Sequence, residues 1–159
     1  MRDGHRTARR ASGMNIQIAV LCDAATDYQG KLNLLGAFDT IFTRKLPAIH
    51  PSCAIVLRVV FSRVETGKHR VRIAFVDEDG KNILQPLELP FEVAMPPQAI
   101  SVSRNFIVNL QQTRFERAGS YSVDVAFDGR HEVSIPLNVL VVGPPSPADA
   151  PPEPPLPPI

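Results

Sequence analysis

Tryptophan is absent from this 159-residue sequence, which also has only two tyrosines and two cysteines. Sugar-binding β-domains rely on flat aromatic faces, so this shortage argues against a carbohydrate platform. Cys22 and Cys53 are too few for a disulfide framework, and each lies in an apolar run, where free cysteine behaves as a small hydrophobic residue. We therefore expect two reduced core thiols and a cytoplasmic protein.

Long apolar runs and an excess of one charge are missing as well. No stretch approaches the ~20 apolar residues that a membrane-spanning helix needs, so we expect no membrane span. Residues 15–142 contain 13 basic and 13 acidic residues. Because a neutral chain does not indicate the basic face that binds phosphates, nucleic acid is not an expected partner.

Catalytic and metal-binding patterns are not evident in the sequence. The four histidines do not fall at metal-ligand spacing, and there is no G-x-S-x-G motif or glycine-rich phosphate loop. The segment DEDGKNILQPLE places acids at three calcium-loop positions, but Lys81 and Asn82 stand where a ligand and a glycine are required. A hairpin turn is the better interpretation there. We predict no catalytic residue, no metal and no cofactor, and a protein that is not an enzyme.

Two-residue alternation is the main pattern that the sequence does contain. In GSYSVDVAF (119–127), apolar side chains recur at every second position, which gathers them on one face of a strand. Asp128-Gly129 then predicts a hairpin turn. Pro136 has no amide proton for a ladder, so its strand is expected at an edge or a bulge. Similar patterns predict hairpins elsewhere, including one that turns at 77–80, and a central strand at 53–61.

These patterns sum to about eight strands, with turn signals between them and no amphipathic helix. They predict an all-β fold, an antiparallel β-sandwich of immunoglobulin-like type, with a closed β-barrel as the alternative. A weaker pattern at 40–45 is consistent with one short strand. Tyr121 follows Gly119 at the start of an inward-facing strand, a place where immunoglobulin-like domains use a tyrosine hydroxyl to anchor the preceding corner.

The two ends of the chain differ from its middle in composition. Residues 1–14 carry a net charge of +3, and residues 143–159 contain nine of the sixteen prolines. We predict a disordered basic arm or start-site extension at 1–14, a β-sandwich domain at 15–142 and a disordered proline-rich tail at 143–159.

The segment CDAATDYQGKLNLLGAFDT (22–40) is the one candidate site. It reads as a strand, a loop and a second strand, and Gly36 suggests a bulge or a close backbone approach. Asp23, Tyr28, Lys31 and Asp39 are the candidate ligand-binding residues. The competing interpretation is that the acids close turns or pair with nearby cations.

The same segment carries a resemblance. With LPAIHPSCAIVLRVVF after it, the pattern L-C-D, G-K-L, G-x-F-D resembles an uncharacterised family of bacterial proteins with a small all-β domain. The resemblance implies a small bacterial cytosolic domain of unknown function, with no catalytic residue to transfer.

Two hypotheses for function follow from the sequence. The first is a non-enzymatic β-sandwich that acts by protein association, as a subunit, an adaptor or a self-associating protein. The second is a small-ligand binder or enzyme that uses the 22–40 loop.

Overall fold

The computed structural model describes residues 13–144, and most of this part of the chain is β-structure. The short 3-10 turn Arg63–Glu65 is its single helical segment. The nine strands of the described chain are β1 (Asn15–Tyr28), β2 (Lys31–Phe38), β3 (Thr40–Thr43), β4 (Ala48–Ser62), β5 (Gly67–Asp77), β6 (Leu87–Val93), β7 (Ser101–Phe115), β8 (Gly119–Phe127) and β9 (Arg130–Val141).

The all-β prediction is therefore confirmed, with nine strands instead of about eight. β3 forms where the weaker pattern at 40–45 indicated a short strand, and it pairs with β9. Residues 1–12 and 145–159, which hold most of the predicted basic arm and proline-rich tail, lie outside the described residues.

The strands form two sheets. The four-stranded sheet has the order β2-β1-β4-β7, and the five-stranded sheet has the order β3-β9-β8-β5-β6. Neighbouring strands are antiparallel except β3 and β9, which are parallel. The turn predicted at 77–80 is present, but its second arm makes only an isolated bridge between Val76 and Asn82. The ladder partner of β5 is β6, further along the chain.

One core fills the space between the sheets. Tyr121, Val123, Val125 and Phe127 of β8 are all buried, as alternation predicts, and the intervening residues are more exposed. β4 lies between β1 and β7, which agrees with its prediction as a central strand.

The β1–β2 hairpin explains why β4 is apolar on both faces. Ala54 and Val56 face away from the main core, yet both are fully buried. They form a second small cluster with Cys22, against which Leu32 and Leu34 of β2 pack. The hairpin therefore curls back over the outer face of the four-stranded sheet, and both faces of β4 lose contact with water.

Gly36 lies opposite Asp23 in the β1–β2 ladder. Its φ is +66°, a conformation that glycine adopts without the Cβ penalty. A side chain at this position would collide with the carboxylate of Asp23 on the neighbouring strand. The close approach expected from the sequence is therefore present.

Two local predictions in the five-stranded sheet also agree with the structure. Asp128 and Gly129 form the β8–β9 turn, both with positive φ. The Tyr121 hydroxyl donates a 2.6 Å hydrogen bond to the Arg117 carbonyl, which anchors the preceding corner. Pro136 lies just before the β9 residues that pair with β3. It therefore lies on the part of the β9 edge that β3 does not cover, and its lack of an amide proton falls on that uncovered edge.

Candidate functional site

The four candidate residues lie at two different places along the hairpin. Tyr28 and Lys31 face each other across the turn at its tip, and Tyr28 is 65% exposed. Asp23 lies beside Gly36, and Asp39 follows the end of β2. The structure thus brings Tyr28 and Lys31 together and places both aspartates toward the other end of β2.

Both aspartates have structural contacts. The Asp23 carboxylate fills the space beside Gly36. An Asp39 carboxylate oxygen accepts a 2.8 Å hydrogen bond from the Thr40 hydroxyl, and the Asp39 carbonyl accepts one of 2.8 Å from the Asn138 amide. Neither of these side-chain contacts is an ion pair, and ligand binding by the four residues stays a prediction.

A polar network that the candidate list does not include holds the tip of the hairpin. Asp27 accepts hydrogen bonds from the Gly30 amide (2.9 Å) and from the Asn105 side chain (2.8 Å). Arg58 donates to the Gly30 carbonyl (3.0 Å), to Asn105 (2.9 Å) and to Gln17 (3.1 Å). Arg58 interrupts the apolar run of β4, so a buried partner could have been suspected from the sequence.

A second polar cluster, also missed by sequence reasoning, lines a cavity of about 440 Å³. His69 Nδ1 lies 2.6 Å from an Asp128 carboxylate oxygen, and His69 Nε2 lies 2.5 Å from the Glu65 carbonyl oxygen. The ring stacks against Phe61 and against Phe91, with centroids 6.1 and 5.6 Å away. A histidine oriented by an aspartate beside a cavity is the arrangement in which a general base is usually sought.

The hydrogen bonds of His69 argue against that role. A carbonyl oxygen only accepts, so Nε2 carries a proton, and the Asp128 carboxylate accepts from Nδ1. The bond to Asp128 raises the pKa of His69 and outweighs the opposing effect of burial. Burial pushes the pKa of Asp128 upward, but hydrogen bonds from His69 and from the Arg70 amide bring it below its ordinary value. Both ring nitrogens are engaged by acceptors of the protein itself, so neither offers a free lone pair to a substrate.

The acidic 77–80 turn is also occupied by protein contacts. An Asp77 oxygen accepts hydrogen bonds from the amides of Asp79 (3.0 Å) and Lys81 (2.9 Å), and Arg117 pairs with both aspartates at 3.2 Å. The Lys81 amide is the main reason why the pKa of Asp77 is lowered. Within residues 13–144, no group of three or more His, Cys, Asp or Glu side chains is placed to hold a metal ion.

Both cysteines are free and buried, as predicted. Burial, with smaller contributions from Cys22 and Asp23, raises the pKa of Cys53 to about 11. Burial likewise raises the pKa of Cys22. Because the thiolate is the nucleophile, neither thiol is activated for chemistry.

An exposed apolar surface lies on the outer face of the five-stranded sheet, where β3 forms its edge. Phe42 is 66% exposed and pairs in register with Leu140 of β9, which is 46% exposed. Val142, just beyond β9, is 38% exposed and donates its amide to the Thr43 carbonyl at 2.8 Å. We call Phe42, Leu140 and Val142 the β3 edge surface. The far side of β3 has no partner strand in the described chain.

Residues 13–144 contain no helix with the length and apolar character needed to cross a bilayer.

Comparison with solved structures gives distant likenesses. The alkylpurine DNA glycosylase AlkC of Pseudomonas fluorescens, solved bound to DNA containing an abasic site analog, is similar at 13% identity and a TM-score of 0.43. The match covers 80% of this chain but only 30% of the glycosylase chain. A likeness at this level carries no argument about function.

Comparison at the level of sequence is more informative about membership than about activity. No curated protein matches the chain. The model of a family of unknown function, DUF6941, matches residues 17–140, which is nearly all of the described domain. The chain therefore belongs to the DUF6941 family, whose function is unknown.

Proposed function

We propose that this protein acts without catalysis, by associating with another protein through the β3 edge surface. The observation that carries the proposal is an exposed Phe42 beside Leu140 at a sheet edge without a partner strand in the described chain. Unpaired strand edges offer backbone groups to an incoming strand, and apolar side chains beside them add affinity.

The chemistry of the other candidate places supports a non-enzymatic role. His69 has both ring nitrogens engaged as donors, and the high pKa of Cys53 keeps it a neutral thiol. A protein partner is favoured over nucleic acid because the segment 15–142 has equal numbers of acidic and basic residues.

Two further features belong to the same proposal. We assign the two sheets to an immunoglobulin-like sandwich, an assignment supported by the hydrogen bond from the Tyr121 hydroxyl to the Arg117 carbonyl. We place the protein in the cytoplasm, which agrees with two buried free cysteines.

The test compares three tagged full-length chains: wild type, Phe42→Asp and Val64→Asp. Val64 is 84% exposed and lies in the 3-10 turn outside the β3 edge surface, so it controls for a new surface carboxylate. The measurement is the identity and stoichiometry of protein recovered with each chain from cells that express it, together with each chain's mass in solution.

We expect wild type and Val64→Asp to form a stoichiometric complex, either with a second copy or with another protein, and Phe42→Asp to lose it. At a concentration where each purified chain is monomeric, all three should have the same thermal midpoint, because both positions are exposed. A wild-type chain that is monomeric and recovers no stoichiometric protein would refute the proposal. So would a complex that Phe42→Asp leaves intact.

A further inference from the structure

We propose that the protein bound at the β3 edge surface is a second copy of this chain, docked with its β3 antiparallel to the first. The inference rests on the proposed function and adds the identity of the partner. It would join two five-stranded sheets into one continuous sheet across a two-fold axis.

The backbone of β3 is oriented for this pairing. The carbonyls of Asp39 and Thr43 accept hydrogen bonds from the β9 side, and backbone groups of successive strand residues point to opposite sides. The amide and carbonyl of Thr40 and Phe42 therefore face the open side of β3. A neighbouring strand can exchange hydrogen bonds with them.

Symmetry limits the register. An isologous antiparallel pair has its two-fold axis perpendicular to the sheet, so each residue must face one that projects from the same side. Side chains alternate between the two sides, which leaves registers centred on a residue. Centred on Phe42, the pairing sets Phe42 opposite Phe42 of the second copy, with both backbone hydrogen bonds exchanged between them.

Apolar contact favours the register centred on Phe42. Leu140 lies beside Phe42 in the ladder, so the outer face of the joined sheet would carry Leu140 and Phe42 from one copy and then Phe42 and Leu140 from the other. Cross-strand aromatic pairs stabilise antiparallel sheets. A pairing centred on Ile41 would instead place Phe42 opposite Thr40, and this row of apolar side chains would not form.

Charge favours the same register. Counted outward from the paired segment, the same register would bring Asp39 of each copy toward Lys45 of the other, which lies in the turn after β3, giving two symmetric pairs of opposite charge. In the described chain neither Asp39 nor Lys45 takes part in a salt bridge. Within residues 13–144, the side-chain hydrogen bond of the Asp39 carboxylate is the one that it accepts from the neighbouring Thr40 hydroxyl. Complementary charges of this kind select partner and register.

The first test is charge exchange in the full-length chain, read by sedimentation equilibrium over a range of protein concentrations. Wild type should show a dimer fraction that rises with concentration. Asp39→Lys and Lys45→Asp should each weaken the dimer by about tenfold or more, since like charges then face each other. The double variant Asp39→Lys/Lys45→Asp should regain most of the lost affinity.

The second test is a covalent trap. In Phe42→Cys the two introduced thiols would face each other across the axis at the Cα separation of a hydrogen-bonded antiparallel pair, about 5.5 Å, which a disulfide can span. Mild oxidation should yield a disulfide-linked dimer, while Val64→Cys should yield little. Cys22 and Cys53 are buried and do not compete.

Each result decides between the two proposals. A wild-type chain that is monomeric at every concentration, yet recovers a different protein in a Phe42-dependent way, would refute the second-copy inference and leave the proposed function intact. A dimer indifferent to both charge changes and not trapped by Phe42→Cys would refute the inference too, because the contact would lie elsewhere.

Discussion

The two edge strands of the five-stranded sheet, β6 and β3, differ in how far the rest of the chain protects them. At one edge, β6 contains Pro90, and Arg104 of the facing sheet donates a hydrogen bond to the Glu92 carbonyl. At the other edge, β3 contains no proline and exposes Phe42. The first edge is covered by its own chain, and the second is open within the described residues.

Aromatic packing deepens the difference. Phe91 of β6 makes edge-on or tilted contacts with Phe61, Phe106 and Phe127, with ring centroids 5.1–5.9 Å apart, and its ring stacks on His69. Phe42 has no aromatic neighbour among the ring pairs of residues 13–144. Phe91 at one edge thus packs against the core, whereas Phe42 at the other edge is exposed on the surface.

The part of the β9 edge that β3 does not cover is protected against the addition of a strand by two local features. The β8–β9 ladder is interrupted by a bulge next to His131, and Pro136 removes a donor further along. Both devices discourage an added strand. β3 itself has neither of them, which is why the comparison points to association there.

The largest expected effect comes from replacing a phenylalanine by alanine at each of the two edges. Phe91→Ala should lower the free energy of unfolding by about 3 kcal/mol, because it leaves a cavity among three other rings. Phe42→Ala should lower it by no more than about 0.5 kcal/mol. Denaturant titration at a concentration where the chain is monomeric measures both. Equal losses would mean that the two edges are packed alike.

The next effect is pH-dependent and concerns the stacking partner of Phe91. His69→Gln should cost roughly 1–2 kcal/mol at about pH 5.5, below the ordinary histidine pKa of about 6.5. The folded-state pKa of His69 is raised, so its contribution is fully present below the unfolded value. It is lost as the pH rises through the folded value.

Thermal midpoints of wild type and His69→Gln across this range measure the effect, with His131→Gln as the control for an exposed histidine. The gap between wild type and His69→Gln should shrink toward about pH 9. The lowered pKa of Asp128 adds a second limit, since its contribution is lost only as the pH falls through that low value. A gap that widens at alkaline pH would contradict a raised pKa of His69.

The smallest effect concerns the hydrogen bond that covers β6. Arg104→Gln removes the donor to the Glu92 carbonyl and should cost about 0.5 kcal/mol, because water replaces part of the bond. Amide hydrogen exchange at the β6 edge should rise in the variant. Arg114→Gln is the control, since Arg114 pairs only with its near neighbour Glu116. Identical exchange in the two variants would show that Arg104 does not close this edge.

Local chemistry predicted much of this molecule. The alternation of β8, the turn at Asp128-Gly129, the tight approach at Gly36 and the anchored corner at Tyr121 depend on residues close in sequence, or on one residue type with a special conformational or hydrogen-bonding need. Each was readable before the fold was known.

The candidate site was less predictable from the sequence, because residues a few positions apart lie far from each other once they form an extended strand. Residues at the two ends of β2 lie more than 20 Å apart when extended, at about 3.3 Å per residue. Lys31 and Asp39 therefore could not be grouped by proximity in the loop. His69 and Asp128 meet from 59 positions apart, a distance that no local pattern encodes.

By itself, the sequence determined that this chain would form strands, where many of them would turn and that both cysteines would be buried. Side-chain periodicity and glycine stereochemistry act over a few residues, and that is why they can be read directly. Only the tertiary structure decided that the β1–β2 hairpin covers β4, that His69 bonds to Asp128 and to the Glu65 carbonyl, and that β3 is left as an exposed edge. Those outcomes depend on which strands become neighbours, and that choice is made by the packing of the whole core.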